Sequence, residues 1–444
     1  MEADSVLVIG AVVVLYAAVA RRLDTTPISG PMVFVGLGLL LGSSGLGWLE
    51  ADLSNDAITG LVEATLAVVL FSDASRVDLR NLRSHWSIPG RLLLVGLPLA
   101  IALGTLGAMG VFGSLPWEGA LLIGIMLSPT DAALGQAVVT DRSVPVYVRQ
   151  SLNVESGLND GLTFPVFEAA VAMALVGVSV TAEAAARVLL EEVVFGAVAG
   201  LGVGLLAGPL LSVARRSGWT GRHWHGLATL GITAAAYGLA VTIDGNGFIA
   251  AFAAGLAYRP SVDLPVADDV SHDVAELLTM LAFVVFGAIV LGPNLAAFDW
   301  QMLLYAVLSL TVIRGAAVAI SLVASRTKWQ TKAFIAWFGP RGIASVLYSF
   351  LLLEEADRIA YAGKVVDVVM LTVALSVVAH GVTASSLAEL YGRWFADMEE
   401  DHDDMVEAKE AHEHGLGRCA DAAGRADSDT ATAPQPMGES DEGR

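Results

Sequence analysis

Cysteine and lysine are nearly absent from this chain, and charge of either sign is scarce. Cys419 is the only cysteine among 444 residues, which excludes a disulfide framework and a thiolate metal site. Charged residues make up 16% of the chain, whereas a soluble globular protein carries about 25%. The phosphate-binding pattern G-x-x-x-x-G-K-[ST] does not occur. These shortages argue against a soluble enzyme, a thiolate metalloprotein and an ATP-driven pump.

Long apolar runs dominate the sequence instead. Hydrophobic residues make up 55% of it, and the mean hydropathy is +0.65. Most runs reach about 18–25 residues, the length that a helix needs to cross a bilayer. The predicted fold class is therefore an all-α polytopic membrane protein. Thirteen spans are predicted, at residues 5–20, 30–48, 57–74, 90–113, 117–139, 150–176, 188–213, 224–243, 247–258, 274–292, 299–324, 331–354 and 364–390.

Positive charge is distributed unevenly between the two sets of loops. Fifteen Arg and Lys residues fall in the loops on one side, and the opposite loops hold only Arg187, Arg358 and Lys364. Because cytoplasmic loops are enriched in Lys and Arg, we predict an outside N-terminus and a cytoplasmic C-terminus. The expected location is the cell membrane, crossed an odd number of times.

The chain is predicted to divide into a membrane domain, residues 1–392, and an acidic tail, residues 393–444. From residue 394 onward the sequence has fifteen Asp and Glu against four Lys and Arg. Such a composition is too polar to bury a core, so we expect a disordered cytoplasmic segment. Its acidity, in a chain of net charge −20, argues against nucleic acid as a partner.

A few ionisable residues remain inside the apolar runs. Asp131 lies deep in the fifth predicted span, Asp160 in the sixth, Arg314 in the eleventh and Arg341 in the twelfth. A charge at the centre of a membrane helix costs about 2.5–3.5 kcal/mol on insertion scales. These side chains are therefore expected to be paired, to face water, or to take part in function.

Two of these charges follow a proline within two residues. Pro129 precedes Thr130 and Asp131 in SPTDAA, and Pro340 precedes Arg341 in FGPRG. Interrupted spans in corresponding halves of a chain indicate an inverted-repeat transporter whose site lies near the midplane. We expect Arg341 to balance the negative carbonyl ends of the broken helices and Asp131 the positive N–H ends.

The stretch ESGLNDG in the sixth span places further polar groups beside this break. On a helix, Glu155 and Asn159 share one face, and Ser156 and Asp160 share the adjacent face. The two spans together supply hard oxygen ligands, which suit an alkali or alkaline-earth cation. Protons and cations would compete for the same carboxylate oxygens, which is a mechanism for exchange. The predicted ligands are Thr130, Asp131, Ser156 and Asp160.

SPTDAA, ESGLNDG, GFIAAFAAGLAYR and FGPRGIASVLYS closely resemble the motifs of cation:proton antiporters of the NhaP/NHE type, the sodium/hydrogen exchangers. The resemblance covers residues 1 to about 390. It implies thirteen spans, with two unwound helices crossing inside a six-helix core domain. It also implies a dimerisation domain, hence a homodimer, and an elevator-like motion.

The resemblance also implies roles for particular residues. Asp160 and Asp131 would be the ion-binding carboxylates, with Ser156 and Thr130 as further ligands. Asp73, in LFSDAS, would be an acidic group that holds a water on the ion. Asn159 before Asp160 is typical of the electroneutral branch. Glu155 would pair with a core arginine, for which Arg314 and Arg341 are both candidates.

The function expected from these features is electroneutral exchange of Na⁺, with Li⁺ or K⁺ as alternatives, for H⁺. No cofactor is expected beyond the transported ions. A cation channel lined by the same carboxylates is one alternative, although channel filters are usually rings around a symmetry axis. A membrane protease using Asp131 and Asp160 is another. Saturable flux driven by a pH gradient, ohmic current and peptide cleavage distinguish the three.

Overall fold

Helices account for nearly all of the described chain, because a backbone in lipid must satisfy its polar groups internally. The computed structural model describes residues 3–23, 26, 28–49, 56–77, 87–175, 182–258 and 270–398. In that part of the chain fifteen helices follow one another: α1 (Ala3–Leu23), α2 (Gly30–Leu41), α3 (Asp56–Ser75), α4 (Ser87–Val111), α5 (Trp117–Met126), α6 (Ala132–Thr140), α7 (Val146–Leu175), α8 (Ala182–Arg216), α9 (Arg222–Thr242), α10 (Gly247–Ala257), α11 (Val270–Ala297), α12 (Trp300–Ser321), α13 (Trp329–Trp337), α14 (Ile343–Glu354) and α15 (Ala362–Ala396).

The predicted all-α membrane fold is confirmed. Among the described residues, five helices are long and apolar enough to cross a membrane, namely α4, most of α8, α11, α12 and α15. Shorter apolar helices include α2, α5, α10 and α14. The number of crossings, thirteen, stays a prediction, as does their orientation.

The helices pack in two groups. Helices α4 to α7 pack with one another and with α12 to α15, whereas α2 and α3 pack with α8 to α11 through α10 and α11. The groups meet where α3, α8 and α10 lie against α7, where α3 and α11 lie against α14, and where α2 and α11 lie against α15. The broken helices therefore lie inside the first group, and α3 reaches them from the second.

Several boundaries differ from the prediction by four residues or more. The second span was expected to reach residue 48, but α2 ends at Leu41. Glycine-rich turns follow it, in which Leu46 N–H donates to the carbonyl of Leu40 and Gly47 has a φ of 67°. Helix α15 runs to Ala396, beyond the predicted end at residue 390. The predicted tail from residue 399 onward lies outside the described residues, as do Arg80, Arg83 and Arg259 of the basic loops.

Candidate ion-exchange site

The two predicted interruptions are confirmed, and they cross each other. Helix is absent between Met126 and Ala132 and between Trp337 and Ile343. The two extended segments meet through their backbones, where Asp131 N–H donates to the carbonyl of Pro340 at 2.9 Å. One buried polar group of each interruption is thereby satisfied by the other, as buried backbone requires.

Asp131 caps the N-termini of two helices at once. Its Oδ1 accepts a hydrogen bond from Leu134 N–H at 3.0 Å, in the first turn of α6. Its Oδ2 accepts from Ile343 N–H at 2.5 Å, at the start of α14. Both helix ends present unsatisfied N–H groups and a partial positive charge. The expected role of Asp131, to balance the positive ends of the broken helices, agrees with these contacts.

Arg341 makes the reciprocal contact with the carbonyl end of α5. Its Nη1 donates to the carbonyls of Ser128 at 3.2 Å and Pro129 at 3.1 Å, and the side chain is fully buried. Ser345, in the first turn of α14, donates to the carbonyl of Met126 at 2.6 Å. The carbonyls at the end of α5 and in the interruption that follows it therefore find donors on the other broken helix.

The two glycines of FGPRG make room for charged side chains from other helices. A Cβ on Gly342 would overlap the carboxylate of Asp131, and a Cβ on Gly339 would overlap the guanidinium of Arg314. Both positions therefore need glycine for close approach rather than for an unusual φ. The glycines are part of what allows buried charges to reach the crossing.

Glu155 pairs with Arg314, which decides between the two arginines that the sequence left open. Arg314 Nη1 and Nη2 donate to Glu155 Oε1 and Oε2 at 2.5 and 2.9 Å. The side chains are 4% and 5% exposed. This two-pronged geometry is the strong form of an ion pair, and it joins α7 to α12. A π-helical turn, Ser309–Ile313, directly precedes Arg314.

Thr130 is the centre of a small polar network. Its Oγ1 accepts a hydrogen bond from Asn159 Nδ2 at 2.7 Å and lies 3.1 Å from Ser156 Oγ. All three side chains are buried. The structure thus brings the hydroxyl groups of the fifth and sixth predicted spans together, beside the crossing.

Asp160 has the most demanding environment of the predicted ligands. Its side chain is 4% exposed, and its Oδ1 has no hydrogen-bond partner among the described residues. Its charge interacts with those of Asp73 and Asp131. Asp73 lies half-buried on α3, one helix away, and its carbonyl faces Gly157. The site therefore has acidic groups from both helix groups.

Several contacts at the site were not predicted. Tyr348 donates its hydroxyl to the main-chain carbonyl of Asp160 at 2.8 Å and stacks on Phe167, with ring centroids 4.8 Å apart. Ser376 and His380, on α15, also reach the second interruption. A tyrosine, a serine and a histidine within apolar runs were the available signals, but nothing in the sequence indicates which helix they face.

The whole transmembrane part matches a known family. Residues 8–390 match the model described as sodium/hydrogen exchanger, transmembrane. The chain is 26% identical over 406 residues to the K(+)/H(+) antiporter NhaP of Alkalimonas amylolytica, covering 88% of this chain and 66% of that protein. It is 25% identical over 342 residues to Na(+)/H(+) antiporter 2 of Zygosaccharomyces rouxii, covering 71% and 41% respectively. The chain thus spans less than two thirds of the length of these relatives.

A solved structure shares the fold. The sodium proton antiporter MjNhaP1 from Methanocaldococcus jannaschii, at pH 8, superposes with a TM-score of 0.71. The match covers 87% of this chain and 98% of that one, at 21% sequence identity. At this identity the likeness shows the arrangement of the helices alone.

Proposed function

The chain belongs to the transmembrane sodium/hydrogen exchanger family, and we propose that it is a secondary antiporter that exchanges Na⁺ for H⁺ at Asp160. The observation that carries the proposal is the buried Oδ1 of Asp160, which has no hydrogen-bond partner in the described structure. A buried carboxylate without a partner is costly. A proton or a cation removes that cost, and only one of them can occupy the oxygen at a time.

The surrounding groups suit a monovalent alkali cation. Thr130 and Ser156 supply hydroxyl oxygens, with Ser156 one turn of α7 before Asp160, and carboxylates are available on Asp131 and Asp73. Hard oxygen ligands of this kind favour alkali and alkaline-earth ions over soft metals. We propose that Asp131 contributes its charge and remaining lone pairs while it caps α6 and α14, and that Asp73 acts from α3.

We propose that the exchange is electroneutral, one proton for one cation. Asn159 is adjacent to Asp160 but cannot take up a proton, and its Nδ2 donates to Thr130. Glu155 is held in its ion pair by Arg314. The exchanged proton is therefore assigned to Asp160 alone, so that a cation replaces it without moving net charge.

K⁺/H⁺ exchange is the second candidate. It is favoured by one of the relatives, the A. amylolytica protein, which is named a K(+)/H(+) antiporter. Na⁺ and K⁺ present the same charge to the site and differ in the size of the oxygen cage that they need. The test must therefore compare the ions directly.

The further expectations remain part of the proposal. We place the protein in the cell membrane with the N-terminus outside and the C-terminus in the cytoplasm, supported by the uneven loop charge. We propose a homodimer, supported only by the resemblance to the family. The partners are then the cations, protons, the bilayer and a second copy of the chain.

The test is proton movement in proteoliposomes with an imposed pH gradient, followed by a pH-sensitive dye. Na⁺, Li⁺ and K⁺ are added separately, with the membrane potential clamped or free. The test variant is Asp160→Asn. The matched control is Asp244→Asn, because Asp244 is exposed in a loop and has a φ of 58°, a conformation that Asn also tolerates.

Cation-dependent proton release that is lost in Asp160→Asn, kept in Asp244→Asn and indifferent to potential supports the proposal and identifies the ion. Response to K⁺ but not Na⁺ selects the second candidate. Current driven by potential without coupled proton movement would mean that the carboxylates line a channel. Normal exchange by Asp160→Asn would overturn the assignment of the site.

A further inference from the structure

Helix α15 presents two polar side chains to the interruption between α13 and α14. Ser376 and His380 are one turn apart, and they are 0% and 1% exposed. They lie in the apolar run LSVVAH, where a buried polar group is costly unless it is hydrogen-bonded. Neither residue belongs to the motifs that carry the proposed exchange, so their burial needs another reason.

The two side chains bridge both sides of the interruption. On its C-terminal side, Arg341 N–H donates to Ser376 Oγ at 2.7 Å. On its N-terminal side, His380 Nε2 lies 2.9 Å from the carbonyl of Trp337, the last residue of α13. Ser376 Oγ and His380 Nδ1 are 3.1 Å apart. A continuous chain of hydrogen bonds therefore connects residue 337 to residue 341 through α15.

The chemistry of the partners fixes the direction of each bond. A carbonyl only accepts, so His380 Nε2 must carry a proton and donate it to Trp337. Ser376 Oγ accepts from Arg341, and its own proton needs an acceptor, which His380 Nδ1 supplies. Nδ1 also lies 2.9 Å from the carbonyl of Ser376. A proton on Nδ1 would be donated to that carbonyl, and the serine hydroxyl would then have no acceptor on the ring. The neutral ring protonated on Nε2 gives the carbonyl of Trp337, the N–H of Arg341 and the serine hydroxyl their partners, and makes no bond from Nδ1 to the carbonyl of Ser376.

The bridged segment carries the second half of the crossing. Between its two tethers lies Pro340, whose carbonyl accepts from Asp131 N–H. Two further groups follow immediately. The guanidinium of Arg341 donates to the carbonyl of Pro129, just after α5, and the N–H of Ile343 donates to the carboxylate of Asp131. Within this segment Gly339 N–H donates to the carbonyl of Trp337 at 2.8 Å, which leaves the three groups that follow to be held in place by their contacts with other helices.

We propose that Ser376 and His380 are a positioning pair that fixes the α13–α14 connection and thereby sets the geometry of the ion site. The pair touches neither the cation nor the exchanged proton. This inference rests on the proposed exchange for its transport readout, but not for its structural one.

Substitutions at these positions separate hydrogen bonding from packing. The His380 ring also lies against Trp337, with centroids 5.3 Å apart, so a leucine keeps much of the packing and loses both bonds. His380→Gln places an amide N–H near the position of Nε2 and keeps the bond to Trp337. Ser376→Ala removes only a hydroxyl. Ser386→Ala, at an exposed serine of the same helix, is the matched control.

The measurement is the cation dependence of proton release in proteoliposomes. We expect Ser376→Ala to raise the apparent cation KM roughly five- to tenfold, the equivalent of one lost hydrogen bond, and His380→Leu to raise it at least as much, with little change in maximal rate. His380→Gln should restore most of the affinity. The apparent cation KM of the Ser376→Ala/His380→Leu double variant should be no higher than that of the more strongly affected single variant, because both residues belong to one chain of bonds.

The structural readout is the ¹⁵N spectrum of histidine-labelled protein, with His380 assigned by its absence in His380→Gln. We expect the neutral Nε2–H tautomer at neutral pH. An Nδ1–H tautomer or an imidazolium signal would overturn the proposal, as would a KM unchanged in Ser376→Ala. Equal losses in His380→Gln and His380→Leu would also overturn it. If the unaltered protein moves no protons, the proposed function fails, and the tautomer still tests the pair.

Discussion

The buried ion pair between Glu155 and Arg314 allows a quantitative prediction. Arg314→Gln removes the guanidinium and leaves Glu155 as an uncompensated charge that is 4% exposed. Breaking a buried pair from one side costs about 3–5 kcal/mol, mostly because of the charge left behind. Removing both charges avoids that cost, so Glu155→Gln/Arg314→Gln should recover most of the lost stability.

The measurement is the unfolding of purified protein in mixed micelles by a denaturing detergent, followed by tryptophan fluorescence. We expect a large shift of the midpoint for Arg314→Gln and a small one for the double variant. The surface pair Arg187–Glu191, joined at 2.9 Å with side chains 79% and 47% exposed, is the control. Its Arg187→Gln variant should leave the midpoint unchanged, because exposed pairs are screened by water.

Transport by the double variant tests the assignment of roles. Since the pair lies outside the proposed exchange step, proteoliposomes with Glu155→Gln/Arg314→Gln should still couple cation and proton movement. A double variant as unstable as the single one would refute the charge-compensation argument. A stable double variant that exchanges no ions would instead give the pair a direct part in transport.

Two further predictions concern the crossing and the turn that precedes α12. Gly342→Ala should destabilise the protein by about 1–3 kcal/mol and abolish exchange, because its Cβ overlaps the carboxylate of Asp131. The control is Gly315→Ala, since Gly315 has open space around it. Equal stability and exchange in the two variants would contradict this prediction. Asp299, which precedes α12, accepts a hydrogen bond from Lys364 at 2.8 Å, and this bond lowers the pKa of Asp299 below its usual 3.8. The stabilisation is therefore present above that value and lost as pH falls through the lowered pKa, so Lys364→Met should reduce the unfolding midpoint at neutral pH and not in strong acid; a loss that persists in acid would refute the linkage.

The sequence was most informative where a backbone-breaking residue and a charge occur together. Pro129 and Pro340 remove backbone donors within apolar runs, and each is followed within two residues by an ionisable side chain. That combination predicted the two interruptions and the opposite roles of Asp131 and Arg341. The prediction succeeded because the partial charges at helix ends inside a membrane must be neutralised by nearby groups, and this requirement does not depend on the rest of the fold.

Pairings between distant helices could not be predicted in the same way. Arg314 and Arg341 were equivalent partners for Glu155, because each is a single arginine in an apolar span and register between spans is not encoded locally. The same holds for His380, which is 43 residues from the carbonyl that it contacts. Gly339 and Gly342 flank Pro340 in the sequence, but only the structure shows that their small size is needed because Arg314 and Asp131 approach them.

The buried charges around the crossing balance in all but one place. The groups that are at most 5% exposed there are Asp131, Glu155, Asp160, Arg314 and Arg341. If all are ionised, three carboxylates face two guanidinium groups. Asp73, half-buried on α3, has the charge of Arg76 acting on it, and Arg149 donates to carbonyls at the start of α7, away from the crossing.

The single excess negative charge falls on Asp160. The charge of Glu155 is offset by Arg314, and that of Asp131 by Arg341 together with the N-termini of α6 and α14. One proton or one monovalent cation neutralises it, and the total is the same in either case. An empty site would keep an uncompensated buried charge, at a cost of several kcal/mol. Under the proposed exchange, the loaded states are therefore the favourable ones for the motion that the family resemblance implies. If the site crosses the membrane only when it is loaded, and is neutral with either a proton or a monovalent cation, the transporter must exchange one for the other.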